Sequence, residues 1–297
     1  MTFSQLQVFT KVVETGSFTK AGEALRMTQS AVSHAIANME SELGVPLIIR
    51  DKKQGIILSD FGKHILKLAG EILNRIDQIE QAAASEKGLD VGTIRIGSFP
   101  SATARLLPKI ISKFKQQYPR IEVVLFDGDD HEVSEWLNNR VIDVGFVAQL
   151  GRNDKMIPLT KDKMVAVIPK GYQFGDAQAI PVWKLSDSPF IMSKGGCEPF
   201  IREIFAHAGL SPSVQFEARD TNTMLNMVQE GLGITIVPEL ALPDKLPDIE
   251  VRDLDPTFWR YLGLYCPHVD EVTPAIQKFI SMGQSLFQAL EQKVEDV

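Results

Sequence analysis

Gln29, Ser30, Ser33 and His34 lie within one short stretch and carry amide, hydroxyl and imidazole groups suited to hydrogen bonding base edges. A glutamine side chain can pair bidentately with adenine, and serine hydroxyls reach bases or phosphates. Arg50, Lys52 and Lys53 follow as a basic cluster fit for phosphate or minor-groove contact. A second set of groups lies further on. Ser98-Phe99-Pro100-Ser101-Ala102-Thr103, Ser193-Lys194-Gly195-Gly196-Cys197 and Thr221-Asn222-Thr223 each lead into a helical pattern. Hydroxyls and free N–H groups at a helix start form an anion-binding corner, although the same residue types also serve as ordinary caps. Asp129, Asp130, His131, Glu132 and Glu135 allow a metal reading, but acidic residues at a helix start more simply complement its dipole. Cys197, near Lys194 at a helix start, invites a lowered thiol pKa and a redox pairing with Cys266, which nothing in the sequence places nearby. A nucleophile with its base, a glycine-rich phosphate loop and a metal cluster are not evident, so no enzyme activity, catalytic residue, metal or cofactor is expected.

These residues need elements to hold them. Leu6, Phe9, Val12 and Val13 predict a helix over Ser4 to Thr15, stopped by Gly16. Ser17 or Thr19 caps a short second helix through Leu25. Thr28 caps a third, whose stripe Val32, Ile36, Met39 and Leu43 ends at Gly44. Two short helices joined by Arg26, Met27 and Thr28 are a helix-turn-helix, and the stripe leaves Gln29, Ser30, Ser33 and His34 outward. Leu47–Ile49 and Ile56–Leu58, with a charged tip between them, predict a wing hairpin. From Ser59 to about Glu86, Ile65, Ala69, Ile72, Ile76, Ile79 and Ala83 alternate at four and three, the period of a coiled-coil seam between two chains.

After Gly88 and Gly92 the pattern turns to alternating strands and helices. Strands over Thr93–Gly97, Ile121–Phe126 and Ile142–Val147 flank helices over Ala102–Tyr118 and Glu132–Asn139, the βαβαβ order of a parallel sheet. A second series runs from Met164 to Val237, followed by a strand at Arg260–Cys266 and a final helix at Thr273–Lys293. The pattern predicts two α/β lobes joined by two crossings, near Lys161 and near His268, with a ligand cleft between them.

The 297 residues suggest about two domains. Residues 1–58 are assigned to the winged helix-turn-helix, 59–87 to the linker helix and 88–297 to a regulatory domain. Its first lobe is taken as about 91–161 plus 268–297 and its second as about 162–267. The net charge of −7 argues against nonspecific nucleic-acid coating, yet residues 1–65 stand at +1 and the rest at −8, a division of labour. Two distant cysteines, no long apolar run and no signal-peptide pattern predict a cytoplasmic protein with no membrane partner.

The stretch from Phe18 to Arg50 resembles the DNA-binding domain of the LysR-type transcriptional regulators. Ala21, Ala24 and Leu25, then Gln29-Ser30-Ala31-Val32-Ser33, Ile36, Glu40, Leu43-Gly44, Leu47 and Arg50 carry the likeness. "GTIRIG", "LLPKIISKFKQQYPRIEV", "VIDVGFV" and "MVQEGLGITIVPE" resemble later segments of the same family, in its order. Ala37-Asn38 departs from it where many members carry basic residues, and Asp60-Phe61 departs after the wing. The resemblance implies an α/β chain overall: a winged helix-turn-helix, a long linker helix and a two-lobed, periplasmic-binding-protein-like effector domain. It further implies a homodimer paired through residues 59–87, often assembled as a homotetramer, on a pseudo-palindromic duplex operator. RNA polymerase is a candidate further partner. Similar positions line the inducer cleft in the family, so Ser101, Thr103, Ser193, Lys194 and Thr223 are the expected contacts to a small effector bearing a carboxylate.

Overall fold

The protein is described by a computed structural model covering residues 1–51, 55–150, 156–174, 178–267 and 272–295. The chain opens with helices α1 (Phe3–Thr15), α2 (Phe18–Leu25) and α3 (Gln29–Leu43). Each begins where a hydroxyl oxygen accepts a free helical N–H: Thr2 from Gln5, Ser17 from Lys20 and Thr28 from Ala31. Helices α1 and α3 end on Gly16 and Gly44 at φ +61° and +70°, a left-handed conformation that glycine adopts without Cβ strain. Strands β1 (Ile48–Asp51) and β2 (Gly55–Leu58) pair antiparallel, with Ile48 opposite Leu58, as the wing. Its tip, with Lys52 and Lys53, lies outside the described residues. The stripe Val32, Ile36 and Met39 is buried against Leu6, Phe9, Val12 and Leu47, which forms the core of this unit.

Ser59 caps helix α4 (Asp60–Ser85) and also donates its hydroxyl to the Pro46 carbonyl at 2.7 Å. A Cβ added at Gly62 would sit 2.1 Å from the Leu47 carbonyl oxygen, so glycine lets the helix press on the wing. The expected seam divides between two environments. Ala69 is buried, and Ile65 and Ile76 are half-buried within the chain, whereas Ile72, Ile79 and Ala83 face solvent, Ile79 at 68% exposure. Near its end Gln81 is buried and accepts the Ala275 N–H at 3.2 Å, which ties α4 to the regulatory domain.

The regulatory domain begins with β3 (Gly92–Ser98), α5 (Pro100–Arg105), α6 (Leu107–Gln117), β4 (Ile121–Asp127), α7 (Asp130–Asn138) and β5 (Val144–Leu150). The helix expected over Ala102–Tyr118 is two helices. Pro108 has no N–H to continue α5, so it sits in the first turn of α6 instead. Strand β3 pairs parallel with both β4 and β5. There follow β6 (Ile157–Pro169), β7 (Ala179–Pro181), α8 (Val182–Leu185), β8 (Pro189–Ser193), α9 (Glu198–His207), β9 (Ser213–Ala218), α10 (Thr221–Gln229), β10 (Thr235–Pro238), a 3-10 turn at Glu239–Ala241, β11 (Ile249–Tyr265) and α11 (Pro274–Glu295).

Strand order β10-β6-β11-β5-β3-β4 runs through both lobes, with β7 beside β11 and a separate parallel pair β8-β9. Strands β6 and β11 are the two crossings, and Lys161 stands opposite Tyr261. The return crossing thus falls near Arg260 rather than near His268. From Arg260 to Tyr265, β11 pairs with β5, and Leu262 and Leu264 pack into the first-lobe core with Ile94, Phe146 and Phe279. The stretch from Arg260 therefore belongs with the first lobe, because a strand returning antiparallel to β6 must re-enter that sheet before its turn. The second-lobe core gathers Met164, Phe190, Ile201, Phe205, Ile234 and Leu254.

A largely buried carboxylate marks the seam between linker and first lobe. Asp143 accepts the Arg95 backbone N–H at 2.7 Å and lies 3.8 Å from its guanidinium, beside Asp77 of α4. Burial pushes its carboxyl up to about 6, against the opposing pull of Arg95. Between the unfolded value of 3.8 and about 6 the fold retains a proton that the unfolded chain has released. This contribution to stability is therefore full below the lower value and is lost as pH rises through the upper one, at a cost of about 3 kcal/mol near neutrality. Asp143→Asn keeps an acceptor for Arg95. It is expected to melt above the wild type at pH 7.5 and to converge with it near pH 4. Equal melting temperatures at both pH values, read by calorimetry, would contradict this account.

Candidate DNA interface and effector cleft

Helix α3 places Gln29, Ser30 and His34 in solvent along its first two turns, with Ser33 half-buried between them. They share one shallow surface depression with Ala37 and Asn38, which follow one turn later on the same face. Ser30 Oγ lies 2.9 Å from Thr28 Oγ1, so the cap residue orients the first hydroxyl. On the adjoining surface Thr2, which caps α1, and Gln5 in its first turn border the same helix. These two, with Asn38, extend the exposed polar face beyond the residues selected from sequence. Arg50 sits in β1 opposite Ile56. Glu40 fixes the wing relative to α3 by accepting the N–H groups of Leu47 and Ile48 at 2.8 and 3.0 Å.

Between the lobes lies a cavity of about 340 Å³ lined by Phe99, Ser101, Asp130, Ser193, Cys197, Thr221 and Arg260, among others. Arg260 is 1% exposed although it is cationic. Its Nε donates to Asp162 Oδ2 at 2.9 Å, Nη2 lies 2.7 Å from the same oxygen as an ion pair, and Nη2 donates to Ser101 Oγ at 2.8 Å. Asp162 in turn accepts the Leu240 N–H at 3.0 Å, and the Phe99 ring lies 5.3 Å from the guanidinium. Among the described residues two ion pairs bridge the lobes at the rim. Arg105 of α5 reaches Asp244 and the Leu242 carbonyl, and Arg219 reaches Asp129.

The five residues selected for this cleft divide. Ser101 and Ser193 line it, both nearly buried, and Ser101 is engaged by Arg260. Thr103 turns away to Asp127 at 3.2 Å, and Thr223 closes its bonds on the cap residue Asp220. Lys194 is held by Glu198 and Glu217 at 2.9 and 3.2 Å, which removes it as a counter-charge. Cys197 does start α9, but burial pushes its thiol up to about 11 rather than down, since desolvation outweighs the pull of Arg260. Asp129 and Glu132 form the capping box of α7, and His131 lies 3.9 Å from Glu135 in solvent. Among the described residues no group of three or more His, Cys, Asp or Glu side chains could hold a metal ion. Arg260 was not selected from the sequence, and Asp130 was singled out only in the metal reading. A cation inside the apolar run Trp259–Leu264 was the available signal for Arg260.

Two family models cover this architecture. Bacterial regulatory helix-turn-helix protein, lysR family, matches residues 3–63, and LysR substrate binding domain matches residues 87–288. The chain is a LysR-type transcriptional regulator. The HTH-type regulator YvbU of Bacillus subtilis (strain 168) is 46% identical to it over 97% of this chain and 100% of that one. The transcriptional dual regulator GltC of the same organism is 29% identical over 98% and 99%. Among solved structures, a full-length OxyR variant from Pseudomonas aeruginosa shares the fold with a TM-score of 0.72 at 20% identity, covering 96% of this chain and 98% of that one. Full-length CbnR complexed with its target DNA shares it at 0.61 and 22%, covering 96% and 99%. The regulator is thus a DNA-binding transcription factor with an effector-binding domain, and its matched relatives are regulators rather than enzymes. Among the described residues no helix is long and apolar enough to cross a membrane.

Proposed function

We propose that the regulator reads a pseudo-palindromic duplex operator as a homodimer joined through α4, further assembled into a tetramer, in the cytoplasm. The observation that carries the DNA reading is the solvent-facing polar start of α3 above a buried Val32-Ile36-Met39 stripe. Gln29, Ser30, Ser33 and His34 contact base edges or nearby phosphates from that helix. Arg50, Lys52 and Lys53 of the wing contact the backbone or minor groove. The exposed Leu68, Ile72 and Ile79 on α4 support pairing with a second copy, because a lone chain leaves that apolar stripe wet. RNA polymerase is the macromolecule such a complex would act upon.

The effector is a small metabolite bearing a carboxylate, bound beside Arg260 in the interlobe cleft. The support is a buried guanidinium on the wall of a cavity large enough for a metabolite. Binding changes how Arg105 and Arg219 hold the lobes together, and the two lobe arrangements set different dimer packings on DNA.

Footprinting on the DNA upstream of the regulator's own gene tests this, with small carboxylates added in turn. A protected pseudo-palindrome whose pattern changes with one compound is the expected result. Absence of protection at low salt, followed by failure of unbiased operator selection, would refute the DNA reading. Gln29→Ala is expected to relax preference at a single base position, at about 1–3 kcal/mol, while leaving the salt slope unchanged. Unchanged discrimination among point-variant operators would remove Gln29 from base readout.

A further inference from the structure

The charged groups around the cleft are not equally satisfied. Arg105 is occupied by Asp244, Arg219 by Asp129, and Asp220 by the Thr223 N–H and hydroxyl. Two groups differ. Arg260 uses only Nε and Nη2, so its Nη1 donates to no acceptor among the described residues. The side-chain carboxylate of Asp130, in the first turn of α7, accepts no hydrogen bond from another described residue, although it lines the same cavity. Its Oδ2 lies against Gly196, where an added Cβ would be 2.3 Å away. Gly196 has φ +100° and no side chain, and both features leave room for this carboxylate.

Asp130 and Arg260 do not form an ion pair with each other, yet the charge of Arg260 reaches the Asp130 carboxyl. The cavity wall therefore offers one guanidinium edge, Nη1 of Arg260, without an acceptor and one carboxylate, that of Asp130, without a donor. A purely anionic ligand would place like charge beside Asp130, and a purely cationic one would place it beside Arg260. We propose that the effector is a zwitterion of the α-amino acid class, with its carboxylate on Arg260 Nη1 and its ammonium on Asp130. This rests on the interlobe cleft being the effector site. Asp130 is then the residue that distinguishes an amino acid from the corresponding oxo or hydroxy acid, because an ammonium brings positive charge and three donors to a carboxylate short of them, a hydroxyl one neutral donor and an oxo group none. Burial holds the Asp130 carboxyl up at about 6, against the opposing pull of Arg260.

The test is calorimetric titration of the full-length regulator with the twenty proteinogenic amino acids, each beside its 2-oxo acid and its decarboxylated amine. The expected result is binding of one or a few amino acids, with both analogues at least tenfold weaker. Asp130→Asn is expected to weaken the amino acid at least tenfold and to narrow its advantage over the oxo acid. Ala104→Trp, projecting from the exposed face of α5 into the cleft, should abolish binding. A 2-oxo acid that binds as tightly as its amino acid, and is lost in Ala104→Trp, would overturn the zwitterion while leaving the cleft reading intact. Amino-acid binding that survives Ala104→Trp would overturn the cleft reading itself. Failure of all twenty amino acids to bind would overturn the proposal whatever the variants do.

Discussion

Arg260→Met is expected to destabilise the regulator by about 3–5 kcal/mol, the usual loss when one member of a buried ion pair is removed. Asp162 would remain 4% exposed with its charge uncompensated, and Ser101 would lose its donor. The loss should appear as a melting temperature lower by about 10 °C, since each kcal/mol moves a domain of this size by a few degrees. A second substitution separates charge from packing. Asp162→Asn added to Arg260→Met keeps an acceptor for the Leu240 N–H and removes the stranded charge, so about half the loss should return. If the single variant melts like the wild type, the pair contributes nothing to stability. If the double variant melts no higher than the single one, the stranded charge is not the cause of the loss.

Ile72→Asp with Ile79→Asp is expected to produce a folded monomer that binds its operator at least about 100-fold more weakly. Both side chains are exposed, at 43% and 68%, so neither substitution opens a cavity within the chain. In a paired seam each carboxylate would be buried without a partner, which a coiled coil does not tolerate. Loss of pairing makes the two half-sites independent, and the advantage of tethered binding, about 10²–10⁴, disappears with it. Sedimentation reads the assembly, circular dichroism reads the fold, and binding to whole and half operators reads the consequence. A double variant that remains dimeric would move the interface away from this face of α4.

Gln29, Ser30 and His34 were legible because exposure on a helix follows from local rules. Thr28 caps, Gly44 stops, and the Val32-Ile36-Met39 spacing dictates which face turns inward. The hydroxyls chosen for the cleft were legible only as helix-start residues. Sequence proximity to a helix start does not say where a side chain points, and Thr103, Lys194 and Thr223 found partners elsewhere, on Asp127, on Glu198 and Glu217, and on Asp220.

What the sequence by itself determined is most of the succession of elements, though not β7, α8 or the first half of β11, together with the inward faces of the first three helices, the wing and the family. All of these depend on residues a few positions apart, where caps, periodicity and glycine stops act directly. Only the tertiary structure decided the cleft. Arg260 and Asp162 stand on neighbouring crossing strands, with Ser101 and Asp130 on two first-lobe helices, and no periodicity relates them. The strand return at Arg260 was likewise invisible beforehand, because an antiparallel partner is chosen by the sheet it completes and not by the residues that precede it.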